Sequence, residues 1–367
     1  RSAWNTSADV SDTIGRLFEN GDESFIFRDK HIEGSLRYYL SQGEPDILVK
    51  RIGLGYDYEK DDFSEADASD FDDIDLDPSS VSQDPELLAD DREFSGPTVG
   101  VERIESQFFS LNYIDRFERV QDFAMGNHYS LQFTYAAEAL GSERDTILVS
   151  TSDTDGWKIS PSSFIRGEIG ASSRLNADGF DNTLFRAEAR YYNVLGSKFI
   201  NNFFLGKHTI AGNFAFNFGE GLDKDRQFTL GANNGLRGYE NRAFNGDKSF
   251  VMNLEDRFHI VEDFMRLINI GGAVFVDAGG MSNRAVGDVF TKNFHTDVGI
   301  GLRFGLPRAG SGGVLRVDLA VPLRDGDDGT AKFEPRLLVS TGQLFSSRLS
   351  SESLGPVEAN VGVGFDR

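Results

Sequence analysis

Hydrophobic and polar positions alternate with a period of two through most of this chain. In DVGIGLRFGL, 297–306, Val298, Ile300, Leu302, Phe304 and Leu306 share one side, and Asp297 and Arg303 share the other with glycines between them. In 314–323, Leu315, Val317, Leu319, Val321 and Leu323 oppose Arg316 and Asp318. Ile268, Ile270, Val274 and Val276 oppose Asn269, Phe275 and Asp277. Phe250, Met252, Leu254 and Phe258 oppose Val251, Asn253, Glu255 and Arg257. Arg186, Glu188 and Arg190 form a fully charged face. Side chains alternate this way on a β-strand with two different faces. The pattern predicts thirteen strands, at 31–41, 47–58, 98–113, 127–140, 145–158, 162–175, 183–196, 203–219, 248–261, 266–279, 294–306, 313–323 and 333–345. Residues 1–30 read as an irregular N-terminal segment holding part of a short helix, DVSDTIGRLF. The tail, 346–367, is either an extension after Phe345 or a further strand ending near Phe365.

Two architectures suit long strands with one charged and one apolar, aromatic-rich face. A sandwich turns the apolar faces inward. A membrane barrel turns them to lipid, encloses the charges in a wet lumen, and uses strands of about 9–11 residues. Many similar long strands favour the barrel, because closure removes exposed edges. The fold expected is all-β: a transmembrane antiparallel barrel of 12–14 strands, with 16 as a further alternative, spanning 31–345.

Composition narrows the functions. No run of about 18 apolar residues exists, which excludes a membrane-spanning helix. There are no cysteines among the 367 residues, so disulfides, thiolate metal sites and cysteine nucleophiles are excluded. The formal net charge of −22 argues against nucleic acid as a partner. Of that charge, −14 lies between Asp57 and Asp91, where fifteen Asp and Glu meet one Lys. The segment 57–97 therefore reads as a long, solvated acidic loop on the extracellular side. It lacks the residue order of an EF-hand, so divalent-cation binding is the lesser reading. The five histidines form no HExxH, and no GxSxG is present. No catalytic residues, metal site or cofactor are assigned, and the chain is not expected to be an enzyme.

One further stretch fits neither strand nor helix. The loop 220–247 carries Gly231, Gly235, Gly238 and Gly246 around Leu236-Arg237-Gly238-Tyr239, and precedes the strand SFVMNLEDRF. The next strand ends in Phe275-Val-Asp277-Ala-Gly279. These motifs, in this order, resemble the BamA/TamA (bacterial surface antigen) superfamily of outer-membrane barrels. That superfamily carries a [V/I/L]-R-G-[F/Y] loop tip and an F-x-D-x-G strand, with a glutamate on the strand between, here Glu255. The likeness runs from about 125 to 345. It implies that the loop folds into the lumen and that Arg237 pairs there with Glu255 and Asp277. Alternation independently puts both acids on the charged face. Arginine suits such a bridge because its planar fork bonds two acceptors at fixed geometry. In a wet lumen the pair would position the loop rather than add much stability. Gly238 would permit the turn, and Tyr239 would lay its ring on the wall with its hydroxyl hydrated. Phe345 would end a C-terminal recognition strand, with Phe365 as the alternative.

The resemblance further implies passage or insertion of polypeptide, or of lipid, at a weak seam between the first and last strands. The expected partners are outer-membrane lipid and lipopolysaccharide, client outer-membrane or secreted proteins, and a second copy or accessory subunits. The family's POTRA domains have no counterpart in residues 1–30. The competing class is a passive pore or structural barrel, in which the same loop is only a constriction. A barrel whose enzymatic domain lies upstream is a third.

Overall fold

The computed structural model describes residues 2–117, 119–306 and 314–345. Long strands dominate it: β1 (Ser2–Glu19), β2 (Asp22–Glu44), β3 (Leu48–Glu65) and β4 (Arg92–Glu105), then a short hairpin, β5 (Phe108–Leu111) with β6 (Gln121–Ala124). β7 (His128–Ala136), β8 (Thr146–Ser160), β9 (Ser163–Asn176), β10 (Gly179–Ile200) and β11 (Phe203–Glu220) follow. Next come the small pair β12 (Phe228–Leu230) and β13 (Phe244–Gly246), then β14 (Lys248–Phe264), β15 (Ile268–Ser282), β16 (Phe294–Gly305), β17 (Val314–Pro322) and β18 (Arg336–Thr341). The helices are short: α1 (Ala68–Asp73) and α2 (Asp288–Thr291). No helix among the described residues is long and apolar enough to cross a membrane.

Among the described residues fourteen strands form one antiparallel meander, in the order β1-β2-β3-β4-β7-β8-β9-β10-β11-β14-β15-β16-β17-β18. The exposure of its faces decides between the two architectures. Leu36, Leu40, Leu54, Phe133, Leu254, Val274, Ile300, Leu302, Leu319 and Val339 all point outward and lie exposed. Arg186, Glu188, Arg190, Glu255, Arg257, Asp277, Arg303, Arg316 and Asp318 are buried on the other side. An apolar surface of this extent is an aggregation hazard in water and a lipid-facing band in a bilayer. The sheet is a curled barrel wall around a charged interior.

Of the differences from the sequence expectation, these change the organisation of the chain. Residues 1–30 are not irregular: β1 pairs with β2 over most of its length, in register from Ser2↔Leu40 to Glu19↔Asp22. β1 hides its nature because it borders only one strand and most of its side chains are exposed on both faces, so no alternation was imposed on it. It is the strand missing from the thirteen. The strand expected over 98–113 stops at Glu105, and 108–124 folds as the separate β5–β6 hairpin. The acidic segment is shorter than 57–97, because β3 runs to Glu65 and β4 starts at Arg92.

Between β3 and β4 the acids are ordered by local chemistry. The Asp67 side chain accepts from the amides of Ser69 and Asp70, and the Asp70 side chain accepts from the Asp67 amide, a reciprocal cap on α1. Bonds from the Ser69 hydroxyl and these amides hold the Asp67 carboxyl below its ordinary range. Phe71 and Val81 pack on Ile26, and Asp70 accepts from Arg28 at 2.5 Å. The segment is a folded cover on β2.

Candidate functional site

The loop between β11 and β14 enters the lumen and carries its own small core. Leu236, Tyr239, Phe228, Leu230 and Phe244 pack with Val251 of β14 and Met281 of β15. The β12–β13 pair closes the base of the loop, and the Gly231 carbonyl accepts from the amides of Asn234, Gly235 and Leu236. Arg237 thereby points at the wall with no exposed surface.

Arg237 meets both expected acids. Its Nε and Nη2 donate to Asp277 at 2.7 and 2.8 Å, and its Nη1 donates to Glu255. The guanidinium carbon lies 3.4 Å from the centre of the Phe275 ring, a close cation–π contact. Asn253 braces the assembly, donating to the Gly235 carbonyl at 2.7 Å and to Asp277 at 2.8 Å. β16 makes room for the ring: a Cβ on Gly299 would collide with Phe275. Gly279 likewise lies against Leu230 and Leu236 of the loop.

Three expectations about this loop change. The lock is dry, since Arg237, Glu255 and Asp277 are all fully buried. The relevant energetics are those of a buried ion network, where loss of one partner strands an uncompensated charge. Gly238 is not required by its backbone angle; the positive-φ glycines of the loop are Gly221, at +60°, and Gly235, at +152°. Gly238 is required by proximity, because a Cβ there would stand 2.7 Å from the Asp297 Cβ and 3.0 Å from the Pro322 nitrogen. The Tyr239 hydroxyl is not hydrated: it donates to the carbonyls of Arg324 at 3.0 Å and Thr296 at 3.3 Å.

The network is wider than the motif. Asp277 stands across the ladder from Asp297, and Asn253 from Asp277, so three polar side chains share one level. Asp318 of β17 lies 3.6 Å from Arg237 and accepts from Arg303. Arg257 donates to Glu255 at 2.7 Å. Four buried carboxylates (Glu255, Asp277, Asp297, Asp318) thus share the interior with four buried guanidiniums (Arg237, Arg257, Arg303, Arg316). Alternation puts Arg257, Arg303, Arg316 and Asp318 on the inward faces of their strands without tying them to the loop. Their common level depends on cross-strand register, which needed the turn lengths.

The loop also reaches both edge strands. The Gln227 side-chain amide lies against the Phe18 backbone of β1, and with its nitrogen turned to the carbonyl and its oxygen to the amide it bonds both, at 3.1 and 2.5 Å. The Arg242 guanidinium sits 4.0 Å over the Phe18 ring. On the other side Glu240 takes a two-pronged bond from Arg336 of β18, one prong at 2.7 Å, and its amide donates to Asp328 at 2.8 Å. The Arg336 bond holds the Glu240 carboxyl below its ordinary range. Among the described residues β1 and β18 do not pair with each other.

At the termini end of the barrel a second element fills the lumen. Ile114, Phe123 and Met125 of the 106–127 segment pack on Phe164, Tyr192 and Ala211 of the wall, and Phe345 joins them. This corrects the expectation for Phe345. β18 ends at Thr341, and the chain then turns inward, so Phe345 is a buried lumen residue and not the end of a membrane strand. Residues 346–367, with Phe365, lie outside the described residues. Arg257 joins the two fillings: besides Glu255 it donates to the Ile114 carbonyl at 3.2 Å and the Phe345 carbonyl at 3.0 Å. No sequence signal marked this contact.

One cluster has the composition of a metal site. His31, Glu59 and Asp61 bring ligand atoms within 4.8 Å of one another. Asp61 is already engaged at both oxygens, by His31 Nδ1 at 2.6 Å and by Arg92 at 2.9 Å. Arg92 also donates to Asp223 and Asp225 at the start of the loop. The cluster is an ion network tying loop to wall, with guanidinium in the cation's place.

The chain is similar in sequence to one described family and in fold to solved structures. The family model described as Omp85 superfamily domain matches residues 35–345. Among solved structures, CdiB from Acinetobacter baumannii is 11% identical with a TM-score of 0.42, over 92% of this chain and 59% of that one. BamA from Haemophilus ducreyi lacking POTRA domains 1–3 is 12% identical with a TM-score of 0.36, over 93% of this chain and 70% of that one. The chain thus spans less than two thirds of the CdiB chain.

Proposed function

Since the chain belongs to the Omp85 superfamily, an outer-membrane β-barrel family of polypeptide insertion and translocation, we propose that it inserts client polypeptide into the outer membrane or passes it across. The observation that carries this reading is Arg237, buried between Glu255 and Asp277 in mid-lumen. A passive pore gains nothing from a dry ion network across its conduit. A barrel that must stay sealed until a client arrives needs a closure that is specific and releasable. Among the described residues the outer edges of β1 and β18 are unpaired, and each is touched by the loop; they supply the seam at which a strand could be added by backbone hydrogen bonding. Clients, lipid, lipopolysaccharide and an accessory subunit or second copy are the partners this reading assigns. Chemistry is not part of it: the lumen groups hold one another in place.

The test is twofold. The protein in liposomes should accelerate folding of a client barrel, and in planar bilayers it should be mostly closed, with Arg237→Ala raising its open fraction. Steady, size-limited conductance in both proteins, without client acceleration, assigns the passive pore instead.

A further inference from the structure

The four carboxylates and four guanidiniums around the lock balance in number and not in place. Arg303 of β16 and Arg316 of β17 stand directly across the ladder from each other, on the termini side of the lock. Like charges set opposite on a sheet repel. Both are buried, at 2% and 5% exposure. The acid they share is Asp318, which Arg303 bonds and from which Arg316 stays 3.6 Å away. Asp318 also lies 3.6 Å from Arg237, so three guanidiniums draw on one carboxylate. Glu255 is 3.9 Å from Arg303 and already accepts from Arg237 and Arg257. Asp277 is taken by Arg237. Asp297 stands six positions higher on β16 than Arg303, roughly 20 Å away at about 3.3 Å per residue.

A second observation concerns hydrogen bonds. Nε and Nη2 of Arg303, and Nε and Nη1 of Arg316, are buried and have no hydrogen-bond partner among the described residues. Buried polar groups are ordinarily paired, and one left unpaired points to a bound water or ion. Water would satisfy the N–H groups but leave two facing cations uncompensated. An anion does both. Two guanidinium forks on neighbouring strands, about 4.8 Å apart, suit a group with three or more acceptor oxygens, which is a phosphate and not a halide. Arg316 keeps 6% of its side chain accessible, and Ser340 of β18 continues the row beside it, so the pair borders the seam.

We propose that Arg303 and Arg316 form an anion-binding site in the lumen that takes a phosphate group. A phosphate there neutralises the facing pair and frees Asp318 from it, leaving that carboxylate to Arg237, so occupancy steadies the lock. The same chemistry is offered by the free ion and by a phospholipid headgroup entering past β18. The site stands whether or not the barrel handles polypeptide.

The test uses the full chain in detergent micelles and radiolabelled inorganic phosphate in equilibrium dialysis. The wild-type chain should bind it saturably, and Arg316→Gln should weaken binding at least tenfold. The urea midpoint at constant ionic strength should rise with phosphate and level off as the site fills, whereas general stabilisation by an excluded salt keeps rising. Arg316→Met separates binding from packing. Without phosphate it should raise the midpoint, because it removes an unpaired buried charge; in saturating phosphate it should fall below wild type. Equal destabilisation in both buffers, or no saturable binding by the wild-type chain, overturns the proposal. Should the Arg316 variants lose their folded gel mobility, Ser340→Asp on β18 sets a carboxylate beside Arg316 and should abolish phosphate binding. Unchanged affinity in Ser340→Asp overturns the proposal as well. Unlabelled dihexanoyl phosphatidylglycerol distinguishes the two sources: competition for the labelled ion admits a lipid headgroup to the site, and its failure confines the site to free phosphate.

Discussion

The two fillings of the lumen solve the same problem with opposite chemistry. At mid-lumen the loop is held by a guanidinium between two carboxylates; at the termini end the hairpin and Phe345 are held by tilted, packed rings and two carbonyl bonds. Buried charge is directional and nearly all-or-none, because a half-made network leaves ions stranded in a dry interior. Aromatic packing yields by degrees, since rings can slide and the pocket can partly collapse. The lock is thus suited to being a switch, and the lower filling to being exchanged.

The largest test of this contrast removes the switch. Arg237→Ala strands Glu255 and Asp277 without their shared cation, and loss of one partner in a buried ion network costs about 3–5 kcal/mol. The midpoint of urea unfolding, followed by heat-modifiable gel mobility, should fall markedly, and Arg237→Lys should recover only part, because an ammonium lacks the fork. An unchanged midpoint in Arg237→Ala would mean that the network is not what holds the loop.

Gly238→Ala tests the same lock through sterics. The added methyl meets the Asp297 Cβ at 2.7 Å and the Pro322 nitrogen at 3.0 Å, neither of which is the far end of a flexible chain. Overpacking of this kind costs about 1–3 kcal/mol, so the midpoint should drop by less than in Arg237→Ala. Cleavage of the loop by added protease should rise if the tip is pushed from the wall.

Tyr192→Ala addresses the other region. It should lower stability by about 3 kcal/mol, the low end of the range for a large buried ring cut to alanine, because its hydroxyl gives up no hydrogen bond among the described residues. It should also leave the closed state in planar bilayers largely intact. A jump in conductance equal to that of Arg237→Ala would erase the distinction between the two fillings.

The smallest effect concerns pH. The Glu240 carboxyl is depressed by its Arg336 bond, so whatever it contributes is present above the ordinary glutamate range and is lost as pH falls through the depressed value. Glu240 is about half exposed, at 52% of its side chain, so solvent screens the pair. Loop protection from protease should fall slightly on acidification below about pH 4. Glu240→Gln should lose that acid dependence while keeping the rest of the profile.

The motif was legible because it is local in sequence and alternation fixed the face of each acid. What lay hidden depended on register or on misleading composition. Asp57 and Asp61 read as part of an acidic loop, yet they extend β3 along the lumen, paired with Arg37 and with His31 and Arg92. β1 shows almost no alternation because little packs on either face of it. The turn of Phe345 into the lumen rests on a carbonyl bond from Arg257, 88 residues away in the chain. A backbone acceptor leaves no trace in side-chain pattern.

From β14 to β18 the described strands shorten in turn, from 17 residues to 15, 12, 9 and 6. At about 3.3 Å per residue, six residues reach roughly 20 Å before any tilt, short of the hydrocarbon thickness of about 30 Å. β1, at 18 residues, is long enough at any ordinary tilt. A bilayer wrapped around this wall must therefore change thickness along its circumference, compressing its acyl chains where β18 stands. Of the fourteen described wall strands β18 is the shortest, so the mismatch expected of a surrounding bilayer is greatest beside it.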